Sequence, residues 1–321
     1  MIRPEDADFH PDPSHDFRWC ETNPFLFHVP EQRISGSLYV VTRPVVGVCM
    51  SDVTVVDRIA TSWEQQAYVD NQQHLPCPES LLDYALPNGL RVQVKKPLEL
   101  YRASYEGIDD TRIELEFHAL MPPYDMNDPA MDPLAAGRQK NGWSEAFGGH
   151  FEITGRVTGE LVLRGKRIRI DCVDTLDRSW GPRHERDNAS VIWLHGSFGE
   201  RLTIHVLAAT DPARDAAFGP LISGYVLEDG VVHGLTELVG RSERRGQFPM
   251  STILRVTDRR GKSFEITGAA MNSAPWAPAP AMLYTQCLMR WNLAGEIGYG
   301  VQQDAISRAY LTRHRDRMPA W

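Results

Sequence analysis

The clearest pattern in the chain lies between His150 and Leu163. Apolar residues or glycines take the odd positions (Phe151, Ile153, Gly155, Val157, Gly159, Leu161, Leu163). Polar residues take most even ones (His150, Glu152, Thr154, Arg156, Thr158, Glu160). A period of two held that long predicts a long β-strand with one apolar face. Gly155 and Gly159 would let it bend, as strands do at barrel corners. A two-residue turn at Gly165-Lys166 predicts a return strand in which Leu163 faces Ile168 and Leu161 faces Ile170. That strand places Ile168, Ile170, Cys172, Asp174 and Leu176 on the apolar face, and Asp177 on the polar one.

The same grammar recurs along the chain. Asn88-Gly89 is a hairpin signal, as are Asp229-Gly230 and a turn near Arg260-Gly261. A tip at Gly199-Glu200 would put His195 opposite Ile204, Trp193 opposite Val206 and His205 opposite Leu194. Residues 1–33 are polar and proline-punctuated and read as an extended arm. Residues 121–149 break the pattern and read as a long loop or a short helix in a loop, in which Met126, Met131, Trp143 and Phe147 suit either an apolar lid or a disordered excursion covering a sheet edge. The last residues, from Asp304, fit a short basic helix. Short strands with frequent turns and almost no amphipathic helix predict an all-β chain of barrels or sandwiches. The segment "ELVLRGKRIRI" is echoed by "LRVTDRRGKSFEI", which suggests two related units. We place them at 34–186 and 187–321, after the arm.

Composition narrows the partners. At 321 residues the chain suits two domains. The net charge is −8 and no basic block offers a phosphate-binding stripe, so nucleic acid is not an expected partner. No apolar run approaches the ~20 residues of a membrane span. The N-terminus lacks the apolar core of a signal peptide. Five scattered cysteines (Cys20, Cys49, Cys77, Cys172, Cys287) without CxxC spacing suggest reduced thiols and a cytoplasmic location. A homodimer is left open.

The candidate chemistry starts with Asp174. A carboxyl on an apolar face is desolvated, stays neutral and can protonate an alkene or a leaving hydroxyl. The plainer reading is a carboxylate bonded to backbone or arginine. Asp177, Trp180 and Arg183 sit in "DRSWGPR". They read either as the rim of a site or as a corner latch with paired charges, and the latch is the simpler reading. His195 beside Trp193 is a candidate base, against a satisfied core histidine. Tyr284, Arg290, Trp291, Glu296 and Tyr299 decorate the last strands, where aromatic walls could hold a cationic intermediate or simply pack. Glu114, Glu116 and His118 share a parity but match no zinc spacing, so no metal is expected. Dinucleotide and P-loop motifs and the serine-nucleophile elbow are absent, and no cofactor is expected.

"DRSWGPR" after a long strand, the "RGKRIRIDC" hairpin before it and a late "GEIGYG" resemble the tandem lipocalin-like (calycin) proteins. That group includes carotenoid 1,2-hydratase (hydroxyneurosporene synthase), AttH-like proteins and lipocalin-like pericyclases. The resemblance implies two tandem antiparallel barrels around an apolar cavity for terpenoid, polyene or polyketide-like molecules. The expectation is therefore a cofactor-independent enzyme on a hydrophobic small molecule: a hydratase or dehydratase, an isomerase or a cyclase. The alternative is a non-catalytic lipophile-binding protein of the same fold. Asp174, His195 and Tyr299 are the catalytic candidates. Trp143, Trp180, Arg183, Trp193, Tyr284 and Trp291 are the substrate-binding ones.

Overall fold

The computed structural model describes the chain except for Pro11, Pro13, 139–147, 184–189, Pro280 and 319–321. Eleven strands form a first sheet: β1 (Trp19–Val29), β2 (Ile34–Arg43), β3 (Val48–Val56), β4 (Tyr68–Pro76), β5 (Asp83–Ala85), β6 (Leu90–Lys96), β7 (Leu100–Glu106), β8 (Arg112–Ala119), β9 (Tyr124–Asp125), β10 (Gly149–Leu163) and β11 (Lys166–Pro182). Nine form a second: β12 (Ser190–Phe198), β13 (Leu202–Thr210), β14 (Phe218–Glu228), β15 (Val231–Arg245), β16 (Phe248–Asp258), β17 (Ser263–Ala270), β18 (Ala274–Trp276), β19 (Met282–Leu293) and β20 (Glu296–Ser307). A short helix, α1 (Arg308–His314), follows, capped by the Ser307 hydroxyl on the Tyr310 N–H.

The first sheet runs β4-β3-β2-β1-β11-β10-β8-β7-β6-β5, with β9 beside β10, and its two edges do not meet. The second closes through a β17–β19 pairing into an eight-stranded barrel, with β18 outside the ring. The all-β reading with two tandem units holds. The arm does not: residues 19–29 are a central strand. Its apolar run, Pro24 to Leu26 and Phe27, was hidden by flanking prolines and charges. Phe25 and Phe27 are buried in the first core.

The long hairpin of β10 and β11 keeps its predicted faces. Its turn is Arg164-Gly165, both at positive φ, so Leu161 pairs with Ile168 and Leu163 with Lys166. That moves the register by two residues, which preserves parity. Phe151, Ile153, Leu161, Ile168, Ile170 and Leu176 all enter the first core. Burying each such side chain stabilises the fold by roughly 1.5–3 kcal/mol.

The β12–β13 hairpin does change face. Its loop has three residues, Gly199 to Arg201, so Phe198 pairs with Leu202 and His195 with His205. A one-residue slip puts Trp193, His195, His205 and Leu207 on one side. Leu194, Ile204 and Val206 fill the barrel on the other. Gly300 lies against this strand at the His195 carbonyl oxygen, and a Cβ there would overlap that oxygen.

The two sheets touch along a broad seam. Asn272 donates to the Arg33 and Val56 carbonyls at 2.7 and 3.1 Å, and Ala60 N–H bonds the Ser273 carbonyl at 2.8 Å. Tyr124 OH donates to the Gly224 carbonyl at 2.9 Å. Among the described residues no helix is long and apolar enough to cross a membrane.

Candidate active site

The polar face of the long hairpin meets water at Arg156 and Arg169, but at His150, Glu152 and Thr154 it meets the barrel. Register pairs His150 with Ser179, Glu152 with Asp177 and Thr154 with Thr175. Across the seam stand Trp193 and His195 of β12, His205 of β13 and Tyr225 of β14. The Trp193 indole N–H donates to Glu152 Oε1 at 2.7 Å, and Thr175 Oγ1 donates to Glu152 Oε2 at 3.0 Å. His150 Nε2 lies 3.0 Å from Glu152 Oε1, and His205 Nε2 lies 3.4 Å from it. Thr154 Oγ1 bonds Tyr225 OH at 2.8 Å and His195 Nε2 at 3.3 Å. His150 Nδ1 is 4.0 Å from Asp177 Oδ2.

Burial sets the protonation of this cluster. It pushes Glu152 up to about 8 against the hydrogen bonds from Trp193 and Thr175. It pushes Asp177 up to about 7, helped by the Glu152 carboxyl and opposed by His150, Arg183 and Arg178. The same desolvation lowers His150 and His195 to about 4 each. His205 is also lowered, by burial and then by His195 and His150. Near neutral pH the corner therefore holds neutral imidazoles beside a Glu152 carboxyl that keeps its proton and an Asp177 carboxyl close to half-protonated.

The cluster opens onto an apolar cavity of about 100 Å³ between the sheets. That is room for several water-sized groups. Leu26 and Val41 come from the first sheet, and Leu207, Trp276 and Met282 from the second. His150, Asp177, Ser179 and Arg183 form its polar corner, with Trp193 and Tyr284 alongside. Arg183 is positioned by the short β1–β11 ladder. Its N–H bonds the Arg18 carbonyl at 3.0 Å, and its Nη2 donates to Ser179 Oγ at 2.6 Å. Ser179 Oγ in turn lies 2.7 Å from Thr22 Oγ1. His150, Glu152 and Asp177 are the one such group among the described residues whose ligand atoms, within 4.8 Å of one another, are close enough to share a cation. Both Glu152 oxygens already accept protein hydrogen bonds, which suits proton transfer better.

The expected residues divide. Arg183, Trp193 and Tyr284 line the cavity. Asp174 and Asp177 exchange the places assigned to them. Asp177, read as part of a latch, faces the cavity. Asp174 is fully buried behind it, 2.9 Å from His28 Nδ1, with its other oxygen accepting the Thr175 N–H at 2.9 Å. His195 lies in the polar row, with Nδ1 3.8 Å from Asp174. Tyr299 lines a separate cleft. Trp180 stacks on His10 with ring centroids 3.5 Å apart, outside the cavity lining. Trp291 fills the barrel core against Gly196 and Gly268, where its bulk serves packing. Trp143 lies outside the described residues, as does Phe147. Glu116 is bonded to His118 and Arg102 on the exposed face of the first sheet, an ion network without a metal geometry.

Sequence reasoning missed Glu152, His150, His205 and Tyr225. The alternation did mark Glu152 and His150 as sharing a face with Asp177. What it lacked was the second sheet that covers that face.

A search of curated proteins finds no match. Among solved structures, an AttH-like protein from Nitrosomonas europaea aligns over 97% of each chain at TM-score 0.63 and 13% identity. Kievitone hydratase from Nectria haematococca aligns over 91% of this chain and 89% of its own, at TM-score 0.57 and 10% identity. Both share the tandem lipocalin-like architecture described above. The model of one family matches residues 3–303, and the chain belongs to it: the domain of unknown function DUF7064.

Proposed function

We propose that the chain is an enzyme that adds or removes a proton on an apolar small molecule, as a hydratase or dehydratase, an isomerase or a cyclase. The observation that carries this is convergence. Asp177 and His150 meet in one corner of a cavity whose other walls are aliphatic and aromatic, with Glu152 directly behind them. A binding pocket alone has no need of three buried titratable groups, each costly to desolvate.

In this reading Asp177 meets the substrate. Its carboxyl, pushed up to about 7, is protonated about half of the time at neutral pH and gives that proton to an alkene carbon or a departing hydroxyl. When water adds to the cation, or a neighbouring carbon gives up a proton, the released proton returns to the Asp177 carboxylate, and His150 links that carboxyl to Glu152 behind it. Aromatic rings of Trp193, Trp276 and Tyr284 shield a cationic intermediate from water. The kievitone hydratase shares this fold, and hydration is one of the reactions the corner can run. The chemistry asks for no cofactor.

The test begins with the molecule that co-purifies with the protein, identified by mass spectrometry and offered back in deuterated water. The expected result is deuterium incorporation or a gain or loss of water, insensitive to chelator. Asp177→Asn should lower turnover by about 10²–10⁴ while binding survives. Binding without turnover in the unaltered protein would leave a lipophile carrier. Turnover that depends on added metal would replace the proton-transfer reading.

A further inference from the structure

Farther along β11 the seam opens again. A polar cleft of about 300 Å³ is lined by His28, Cys172, Ser197 and Tyr299, with Arg156 and Glu200 at its edge. Below Thr22 the β1–β11 ladder ends, and side chains bridge the two strands instead. His28 Nδ1 lies 2.9 Å from Asp174 Oδ2. The His28 backbone N–H donates to Cys172 Sγ at 3.4 Å, which holds the sulfur close enough to bear on the His28 imidazole. Asp174 is itself fixed by the Thr175 N–H at 2.9 Å.

We propose that Cys172, His28 and Asp174 form a second, nucleophilic site, which takes small activated acyl compounds such as esters or thioesters in this cleft. The roles follow from the contacts. A nucleophile needs a base in hydrogen-bond reach, and the base needs a third group to orient it. Asp174 holds Nδ1, which leaves Nε2 for the sulfur. His28 enters the step as an imidazolium, and the Cys172 sulfur gives its proton to water and adds to the acyl carbon. The bond from that carbon to the leaving oxygen or sulfur breaks, and His28 gives its proton to the leaving atom. Water then attacks the acyl-sulfur carbon, giving its proton to His28. The carboxylic acid departs and Cys172 recovers its proton. Cys172 is the catalytic residue and Asp174 a positioning one.

Two facts support the assignment. His28 is buried, which works against its charge, yet the Cys172 sulfur and the Asp174 carboxylate hold it up to about 10. Other thiols sit in surroundings that quiet them: burial pushes Cys49 up to about 12 and Cys77 up to about 11. Cys172 and His28 line the cleft and not the cavity, while Asp174 Oδ1 also lies 3.8 Å from His195 Nδ1, where the two sites touch.

Limited iodoacetamide at pH 7, followed by peptide mass spectrometry, tests the proposal on the whole protein. Cys172 should alkylate at least tenfold faster than the half-buried Cys77. His28→Gln should remove that advantage and leave Cys77 unchanged. 4-Nitrophenyl acetate should leave an acetyl group on the Cys172 peptide, and Cys172→Ser should abolish the adduct. Equal rates at Cys172 and Cys77 in the unaltered protein overturn the proposal without any variant. So does an advantage that survives His28→Gln, or acetylation that ignores Cys172.

Discussion

Asp174 and Asp177 are three residues apart on one strand, and each has a histidine for a neighbour. Their surroundings have opposite effects. Asp174 touches its histidine at 2.9 Å and takes a backbone N–H, and His28 beside it is held up to about 10. Asp177 stands 4.0 Å from His150, is pushed up to about 7 by burial, and its histidine falls to about 4. The first pair exchanges hydration for direct contact, and His28 keeps its charge. The second loses hydration at a separation of 4.0 Å, which leaves Asp177 close to half-protonated at neutral pH. One strand thus holds two acids in different surroundings: Asp174 against His28, with His195 3.8 Å away, and Asp177 at the cavity.

The comparison can be broken most sharply by removing each acid. Asp174→Ala strands a buried imidazolium and should cost about 3–5 kcal/mol in urea unfolding at pH 7.5. Asp177→Ala should cost far less at that pH, since the fold disfavours its charge. Equal losses would mean that the two environments are alike.

The pH dependence sharpens the same point. Glu152 and Asp177 bind protons more tightly in the folded chain than in the unfolded one. Their contribution to stability is complete below about pH 4 and is lost as pH rises through about 7 to 8. His150 and His195, lowered to about 4, act the other way: their contribution is present above about 6.5 and is lost as pH falls toward 4. Glu152→Gln should therefore flatten the loss between pH 6 and 9, by on the order of 2 kcal/mol, in melting curves across that range. An unchanged slope would mean Glu152 is ionised throughout.

Smaller effects follow at the tryptophans. Trp193→Phe takes a donor from buried Glu152 and should cost about 1–2 kcal/mol in the same unfolding assay. Trp180→Ala should leave affinity for a cavity ligand within about twofold, read by calorimetry, because that ring packs on His10 outside the cavity.

Much of the architecture was legible in the residues. Period-two alternation from Phe151 to Leu176 assigned both faces of the central hairpin, and a two-residue error in its register did no harm. Asp229-Gly230 closes β14 onto β15 as expected, with both turn residues at positive φ. A single extra loop residue at Arg201 had the larger consequence, because it moved His195 and His205 together onto the seam. The central strand β1 was missed because its apolar residues lie between prolines and charges that local pattern reads as loop.

Chain chemistry alone determined that strands would pair, where the long hairpin would run and which of its residues would share a side. It could not say what lies against each side. An even row of polar residues is the same string of letters whether it meets water or a second sheet. Only the docking of barrel on sheet removed water from Glu152 and Asp177, and only the meeting of β1 with β11 set Asp174 against His28. Desolvation and partner distance set proton affinity, and both are properties of the assembled fold.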